Sequence, residues 1–465
     1  MDSSSIDNKR FDLRLINDTE RIERICYANL SKLYGKNIPR VASGRLSTEL
    51  AVIATHSFAT PYLIAHKIVD FSHKKGYRTS TRGDIGSSLT AYLLELTEIN
   101  PLPAHYRCPK CFFSDFENVD RRITCYELPI RNCPKCGSRL IADGMNILPE
   151  LSMGIKYDKE PNITINLAPE ILRHTIYMLR HWLKTEEPGG EIIGAGVSVK
   201  LEDGTIRKGV HPGGLFIVPS DVCINEITRL RDDVRDDGII LMVTEENYSY
   251  VEKYMKKYDV LSLPQLGLLH DLEEVTGFAI DQIPLDDQTI TEAMSHHPIL
   301  YFGDKTGVGN LVYNVVNPSC FEDLVKMEGL THASFIDSYN IEAEQYIRIA
   351  NELCFTCRDD ILEYLLFKGL DIETAYKTMR QVAVRGRRLT DEMIFCLKEH
   401  GINERIIGMF NKIRYLYPRA QTASYALMNW RLTYLDILMR RNRLNRLSEK
   451  KLKEGKDEFD IEEYR

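Results

Sequence analysis

Four cysteines carry the clearest chemistry in this chain. Cys108-x-x-Cys111, twenty-one further residues, and Cys133-x-x-Cys136 form two Cys-Pro-Lys-Cys knuckles, the second followed by Gly137. Thiolates at that spacing suit tetrahedral zinc, and four sulfurs close the coordination sphere with no position left for a substrate. The expectation is a structural zinc. Cys125 lies between the knuckles as a spare, and Cys354-x-x-Cys357 has no second half, so it reads as a pair of buried helix cysteines. His56, His66 and His73 are spaced irregularly for a metal and read as structural or surface residues.

A second stretch, Lys156 to Leu167 (KYDKEPNITINL), alternates polar with apolar residues from Asn162 onward. Period-two patterning predicts a strand with Asn162, Thr164 and Asn166 on one face and the other face buried. Carboxylates two apart on such a face would hold a pair of metal ions for phosphoryl transfer; these positions carry neutral side chains. Arg82-Gly83-Asp84-Ile85-Gly86-Ser87-Ser88 precedes a helical pattern, LTAYLLELTEI. Backbone N–H groups and a partial positive charge at a helix start could cradle phosphate. The same pattern also serves an ordinary capped helix, with Asp84 as the cap. Lys412, Arg414, Tyr415, Arg419 and Tyr425 interleave cations with aromatics. They suit phosphate contacts and base stacking, or equally a charged helix face whose aromatics lie in the core.

These residues need elements to hold them. Residues 12–35 have helical spacing closed by Gly35, and residues 45–76 read as two helices. After Leu167 comes one amphipathic helix (ILRHTIYMLRHWLK) and a Gly-rich, strand-like stretch. His211-Pro212-Gly213-Gly214 reads as a tight turn entering a buried strand, LFIVP. Residues 229–259 are acidic and charge-rich, 280–440 are helical, and 440–465 read as an exposed helix that frays.

With 465 residues the chain can hold two to four domains. The start, MDSSSIDNKRFD, has no apolar core of a signal peptide, and no segment approaches ~18 uncharged apolar residues. No membrane partner is expected. A cytoplasmic setting is, with eleven cysteines reduced or metal-bound. The net charge of −7 departs from the basic surplus usual in proteins that wrap DNA, so any DNA contact must come from local patches.

In order along the chain, Gly76 to Ser88, INPLPAHYRCPKC, and His211-Pro212-Gly213-Gly214 resemble the PolC-type (family C) bacterial replicative DNA polymerases. The resemblance runs, with gaps, from about Arg45 to about Arg440. The family's strand is similar to P-D-I-D-L-N-F, and its two aspartates fall on Asn162 and Thr164. The family's K-L-D-I-L falls on Lys257 to Leu261, so the third catalytic carboxylate is matched by Asp259. A Gly-Ser pair before the arginine falls on Ser80 and Thr81, and a family serine falls on Asp84, placing an anion where phosphate oxygens would sit. Lys412 to Tyr425 resembles KIKYMFPKAHAAAY, with the family histidine on Gln421.

The resemblance implies an α+β fold: a nucleotidyltransferase-like palm of mixed sheet and helices, a zinc-knuckle insertion, a reduced thumb and helical fingers. Its divisions are 1–105 (helices and part of the palm), 106–140 (knuckles), 141–167 (palm strand), 168–209 (thumb), 210–280 (palm), 281–440 (fingers) and 441–465 (charged tail). It implies a degenerate nucleotide site at Ser80, Thr81, Arg82, Gly83, Gly86, Ser87, Ser88, His211, Gly213 and Gly214, with magnesium in doubt. The function so implied is a catalytically inactive pseudo-polymerase that binds DNA, or replication and regulatory proteins. One alternative is an active DNA-directed polymerase using Glu150 or Asp158 as substitute carboxylates. Another is a nucleotide-sensing or oligomeric structural protein.

Overall fold

The computed structural model describes residues 13–117, 124–160, 162–200, 206–222, 231–235, 238–244, 254–287, 290, 293, 307–335 and 341–453. The expected end of the charged tail, 454–465, and the stretch 118–123 between the knuckles lie outside the described residues.

The N-terminal helices follow directly from their sequence. In α1 (Asp18–Tyr34) the residues Ile22, Cys26, Leu30 and Tyr34 recur every four positions and are all buried, the stripe expected of a surface helix facing a core. Gly35, at φ +71°, ends it in a conformation that disfavours other residues. Helices α2 (Arg40–Thr55) and α3 (Ala59–Lys74) follow, as the sequence predicts.

The centre is a mixed seven-stranded sheet in the order β1-β5-β10-β7-β6-β9-β8. Its strands are β1 (Ser80–Arg82), β5 (Thr164–Leu167), β6 (Glu191–Lys200), β7 (Ile206–Val218), β8 (Arg231–Arg235), β9 (Gly238–Thr244) and β10 (Lys256–Ser262). A smaller sheet, β3-β2-β4, joins Ser114–Asp115, His105–Arg107 and Ile141–Asp143. A two-stranded ladder pairs β11 (Ser334–Phe335) with β12 (Ile413–Tyr415). The overall architecture is mixed helix and sheet.

Several expectations change. Residues 164–167 are buried on both faces, not one, and β5 is an interior strand between β1 and β10. Residues 168–209, expected as a reduced thumb, supply the helix Pro169–Glu186 and then β6, which pairs with β7 and β9 inside the main sheet. His211-Pro212-Gly213-Gly214 is not a turn before a strand; it lies within β7. The register of β7 against β6 jumps there, from Val210 opposite Gly196 to Leu215 opposite Gly194. Such an irregularity accommodates a proline that cannot donate to a ladder.

Among the described residues from 307 on, helices dominate. The last, Arg419–Lys453, packs against the helices Pro264–Thr276 and Phe321–Thr331. It buries Ala420, Ala423, Ala426 and the whole of Trp430. Its small residues let the phosphate-loop candidate come close: a Cβ added to Gly86 would sit 3.1 Å from the Ala420 Cβ.

Candidate functional site

Strand pairing brings two of the three expected catalytic positions, Thr164 and Asp259, side by side. β5 and β10 run parallel with Thr164 opposite Asp259, and Arg82 on β1 faces Thr164 from the other side. Gly214 on β7 lies opposite Asp259, so no side chain crowds it there. Asn162 precedes the strand and is exposed.

Asp259 is compensated by its own strand. Lys257 stands two residues earlier, hence on the same face, and its Nζ is 2.9 Å from Asp259 Oδ1. The paired strands therefore gather a hydroxyl and one carboxylate already beside an ammonium, with the Asn162 amide exposed before β5. The substitute candidates do not add charge to the strand. Glu150 accepts a hydrogen bond from the Tyr157 hydroxyl (3.0 Å) in the preceding helix–loop segment, and Asp158 is exposed on that loop. Magnesium is held mainly by carboxylates and phosphates, and a bridged pair needs several such anions. The three side chains do not fit a two-magnesium centre.

The phosphate-loop candidate is occupied by the protein's own side chains. The regular helix after Ser88 runs only from Leu89 to Leu93, and Ser88 caps it by accepting from Ala91 N (3.2 Å). The N–H groups of Leu89 and Thr90 donate to the carboxylate of Glu49, 3.0 and 2.8 Å away, and the Ser88 hydroxyl donates to it at 2.7 Å. Glu49 is fully buried and paired with Arg45 Nε at 2.6 Å. The expected helix-start cradle is thus plugged by an internal anion, and Ser87 and Ser88 are buried. Gly83, at φ +73°, turns the chain out of β1, and its N–H donates to Gln421 Oε1 at 2.7 Å. Ser80 and Thr81 are buried in β1, where Ser80 Oγ accepts from Asn166 Nδ2 at 2.8 Å.

Asp84 does not cap the helix. Its carboxylate pairs with Lys159 Nζ and, at 2.5 Å, with an Arg358 terminal nitrogen. Burial pushes its acidity down, but Arg358 and Lys159 outweigh burial and hold the carboxyl below the usual aspartate range. Around it stand Arg358 over the Tyr415 ring (4.9 Å) and Arg82 over the Tyr425 ring (5.7 Å).

The finger residues divide. Arg414 is exposed, with one guanidinium nitrogen on Gly386 O; Lys412, Tyr415 and Tyr425 are half-buried. Arg419 is a tie inside the protein and not a surface contact for phosphate. It is buried, its two terminal nitrogens donate to Glu363 at 2.8 Å each, one of them also donates to Asp360 at 2.9 Å, and its backbone N donates to Asp359 Oδ2 at 2.8 Å. Cys357 is likewise buried at the start of the Arg358–Phe367 helix, while Cys354 is exposed.

The knuckles meet as expected. Sγ atoms of Cys108, Cys111, Cys133 and Cys136 lie within 4.8 Å of one another, with 3.4 Å between Cys108 and Cys136 and between Cys111 and Cys133. Disulfide sulfurs sit about 2 Å apart, whereas four sulfurs about 2.3 Å from one zinc stand about 3.8 Å apart. The cluster fits a metal such as zinc. Each knuckle turns alike: Phe112 N donates to Cys108 O and Gly137 N to Cys133 O, both residues at positive φ.

Sequence reasoning missed Glu49, Lys257, Lys159 and Arg358 as parts of this site. Only Lys257 had a local signal, the spacing of two that puts it beside Asp259 on a strand.

The mixed sheet sets two would-be ligand positions, Thr164 and Asp259, side by side. The comparisons with known proteins agree with the sequence resemblance. Residues 20–170 match the bacterial DNA polymerase III alpha NTPase domain. The chain is 30% identical to the PolC-type DNA polymerase III of Halalkalibacterium halodurans over 93% of its own length and 33% of that protein. The PolC-type enzyme of Staphylococcus epidermidis gives the same values, and that of Staphylococcus aureus is 30% identical over 91% of this chain and 32% of its own. The chain is PolC-like in sequence over nearly its whole length, and it spans about a third of the length of the relatives it matches.

Proposed function

We propose that this chain is a PolC-like polymerase core that no longer joins nucleotides and acts by binding. The observation that carries the reading is the register of β5 and β10, which sets Thr164 opposite an Asp259 already beside Lys257. Two-metal phosphoryl transfer depends on anions that bridge the ions and polarise the attacking and leaving oxygens. Losing even one charge-stabilising contact costs about 3–4 kcal/mol of barrier, so the loss of two slows turnover by several orders of magnitude. The plugged helix start at Glu49 and the paired Asp84 act in the same direction, since both occupy donors a triphosphate would need.

Zinc is held by Cys108, Cys111, Cys133 and Cys136 and supplies structure alone, because four thiolates leave no open position. It ties two knuckle loops that the short β3-β2-β4 sheet could not hold by itself. The binding partner is DNA or a replication or regulatory protein in the cytoplasm. Exposed Arg414 and the half-buried Lys412, Tyr415 and Tyr425 are the contacts offered to nucleic acid.

The test is primer extension with magnesium and with manganese, run beside a DNA-binding titration at two salt concentrations. No template-dependent incorporation together with salt-sensitive binding is expected. Incorporation above background would overturn the inactivity, and absence of binding at both salts would leave a protein scaffold as the function.

A further inference from the structure

The pairing of Asp84 points to a resident anion that decides what the neighbouring cations accept. We infer that the Asp84 carboxylate stands in for a phosphate group between Lys159 and Arg358, so that a polyphosphate ligand binds this centre only by displacing it. The inference borrows from the preceding reading only the class of ligand.

Three features carry it. First, the two cations are held in place independently of Asp84. Lys159 Nζ also donates to Leu151 O at 2.9 Å, Arg358 Nε donates to Leu416 O at 2.7 Å, and Arg358 N donates to Tyr417 O at 3.0 Å. Removing the carboxylate leaves the donors where they are. Second, Arg358 is 5% exposed in its side chain, so its charge requires an anion at that position, from the protein or from a ligand. Third, one donor on each of two nearby guanidinium groups is unfilled: Arg82 Nε and Arg380 Nε are buried without a hydrogen-bond partner among the described residues, although each group also reaches a tyrosine, Tyr425 and Tyr376. Arg82 and Arg358 both act on Tyr417, and Arg358 and Arg380 both act on Tyr376 and Asp84. Lys159, Arg358 and Arg380 thus converge on Asp84, with Arg82 beside Arg358 at Tyr417 and Glu328 also acting on that ring, and guanidinium forks match the oxygens of a phosphate chain.

The loop supports the same conclusion from its backbone. Gly83 N, the donor a phosphate oxygen would meet at the turn, is taken by Gln421 Oε1. Two uncharged or anionic acceptors, Gln421 and Asp84, therefore fill the places of ligand oxygens on either side of one turn. A chain of phosphates must displace both, whereas a single phosphate gains too few contacts to do so.

The experiment uses the full chain with inorganic pyrophosphate and tripolyphosphate as probes. Their binding is followed by calorimetry and by melting temperature in wild type, Asp84→Asn and Asp84→Glu. Asp84→Asn is expected to bind tripolyphosphate at least tenfold more tightly than wild type, with Asp84→Glu unchanged. Arg358→Gln added to Asp84→Asn should remove the gain. If Asp84→Asn melts lower in buffer, tripolyphosphate should raise its melting temperature more than it raises that of wild type. Equal affinity in wild type and Asp84→Asn, or an equal shift in melting temperature, overturns the inference. The readout is anion binding, not incorporation, so its failure is separable from a failure of the inactivity proposal.

Discussion

Thr164 and Asp259 face each other across the parallel pair of β5 and β10, with Lys257 Nζ 2.9 Å from the carboxylate. One neutral hydroxyl and one compensated acid occupy positions to which the sequence resemblance assigns catalytic carboxylates. The same substitution of internal partners for external ones recurs at Glu49, at Asp84 and at Arg419.

Glu49 plugs the short helix after Ser88. Its carboxylate accepts from Ser88, Leu89 and Thr90 while pairing with Arg45. Glu49→Gln keeps the shape but removes the charge that these donors face. A loss of about 2–3 kcal/mol is expected, read as a lower midpoint in urea unfolding. A change below about 0.5 kcal/mol would mean the helix start does not depend on this anion.

Arg419 predicts a different phenotype from a DNA contact. Arg419→Ala leaves Asp360 and Glu363 without their guanidinium partner, while the backbone N–H to Asp359 remains. Breaking a buried pair costs about 3–5 kcal/mol, and the loss should persist at high salt because the pair is screened little by solvent ions. Intact stability with weakened DNA binding would restore Arg419 to the surface role that the sequence suggested.

Glu328 gives the fold a pH dependence. Burial raises its carboxyl from an ordinary 4.5 to about 8, only partly offset by the hydrogen bond from Asn429. His332 Nδ1 lies 3.4 Å away. The folded state therefore holds a proton that the unfolded chain releases near 4.5. Between about 4.5 and 8 the folded form binds more protons, so stability falls as pH rises through that window. Chemical denaturation at several pH values should trace this decline, and Glu328→Gln should flatten it. A slope unchanged in the variant would assign the dependence elsewhere, for example to Glu322, which burial raises to about 7.

Metal removal should act on the knuckles alone. One zinc per chain is expected by colorimetric assay, with loss on Cys108→Ser and a drop in melting temperature under strong chelation. A chain that holds no zinc as purified and melts unchanged with chelator would remove the metal from this account.

Much of this was legible because it is local. The Cys-x-x-Cys spacing predicts a cluster, and the four sulfurs converge; the four-residue recurrence of Ile22, Cys26, Leu30 and Tyr34 predicts α1 and its buried stripe. The alternation from Asn162 to Leu167 marks β5, although not that both faces are covered. What stayed hidden depends on distant partners. Asp84 reads as a cap because nothing nearby in sequence reveals Lys159, 75 residues on, or Arg358, 274 residues on. Arg419 reads as a free cation because its acids lie about 60 residues earlier in another helix. Residues 168–209 read as one helix and then a strand-like stretch, and both are present; that the strand joins the main sheet was not legible, because strand order in a mixed sheet is set by long-range pairing, not by pattern.

The most direct test of the charge argument is a manganese titration of this chain beside the double variant Asn162→Asp, Thr164→Asp, followed by electron paramagnetic resonance or calorimetry. The account predicts no manganese bound through Asp259 in the natural chain and at least one ion gained in the double variant. Manganese binding in the natural chain that Asp259→Asn abolishes would contradict it.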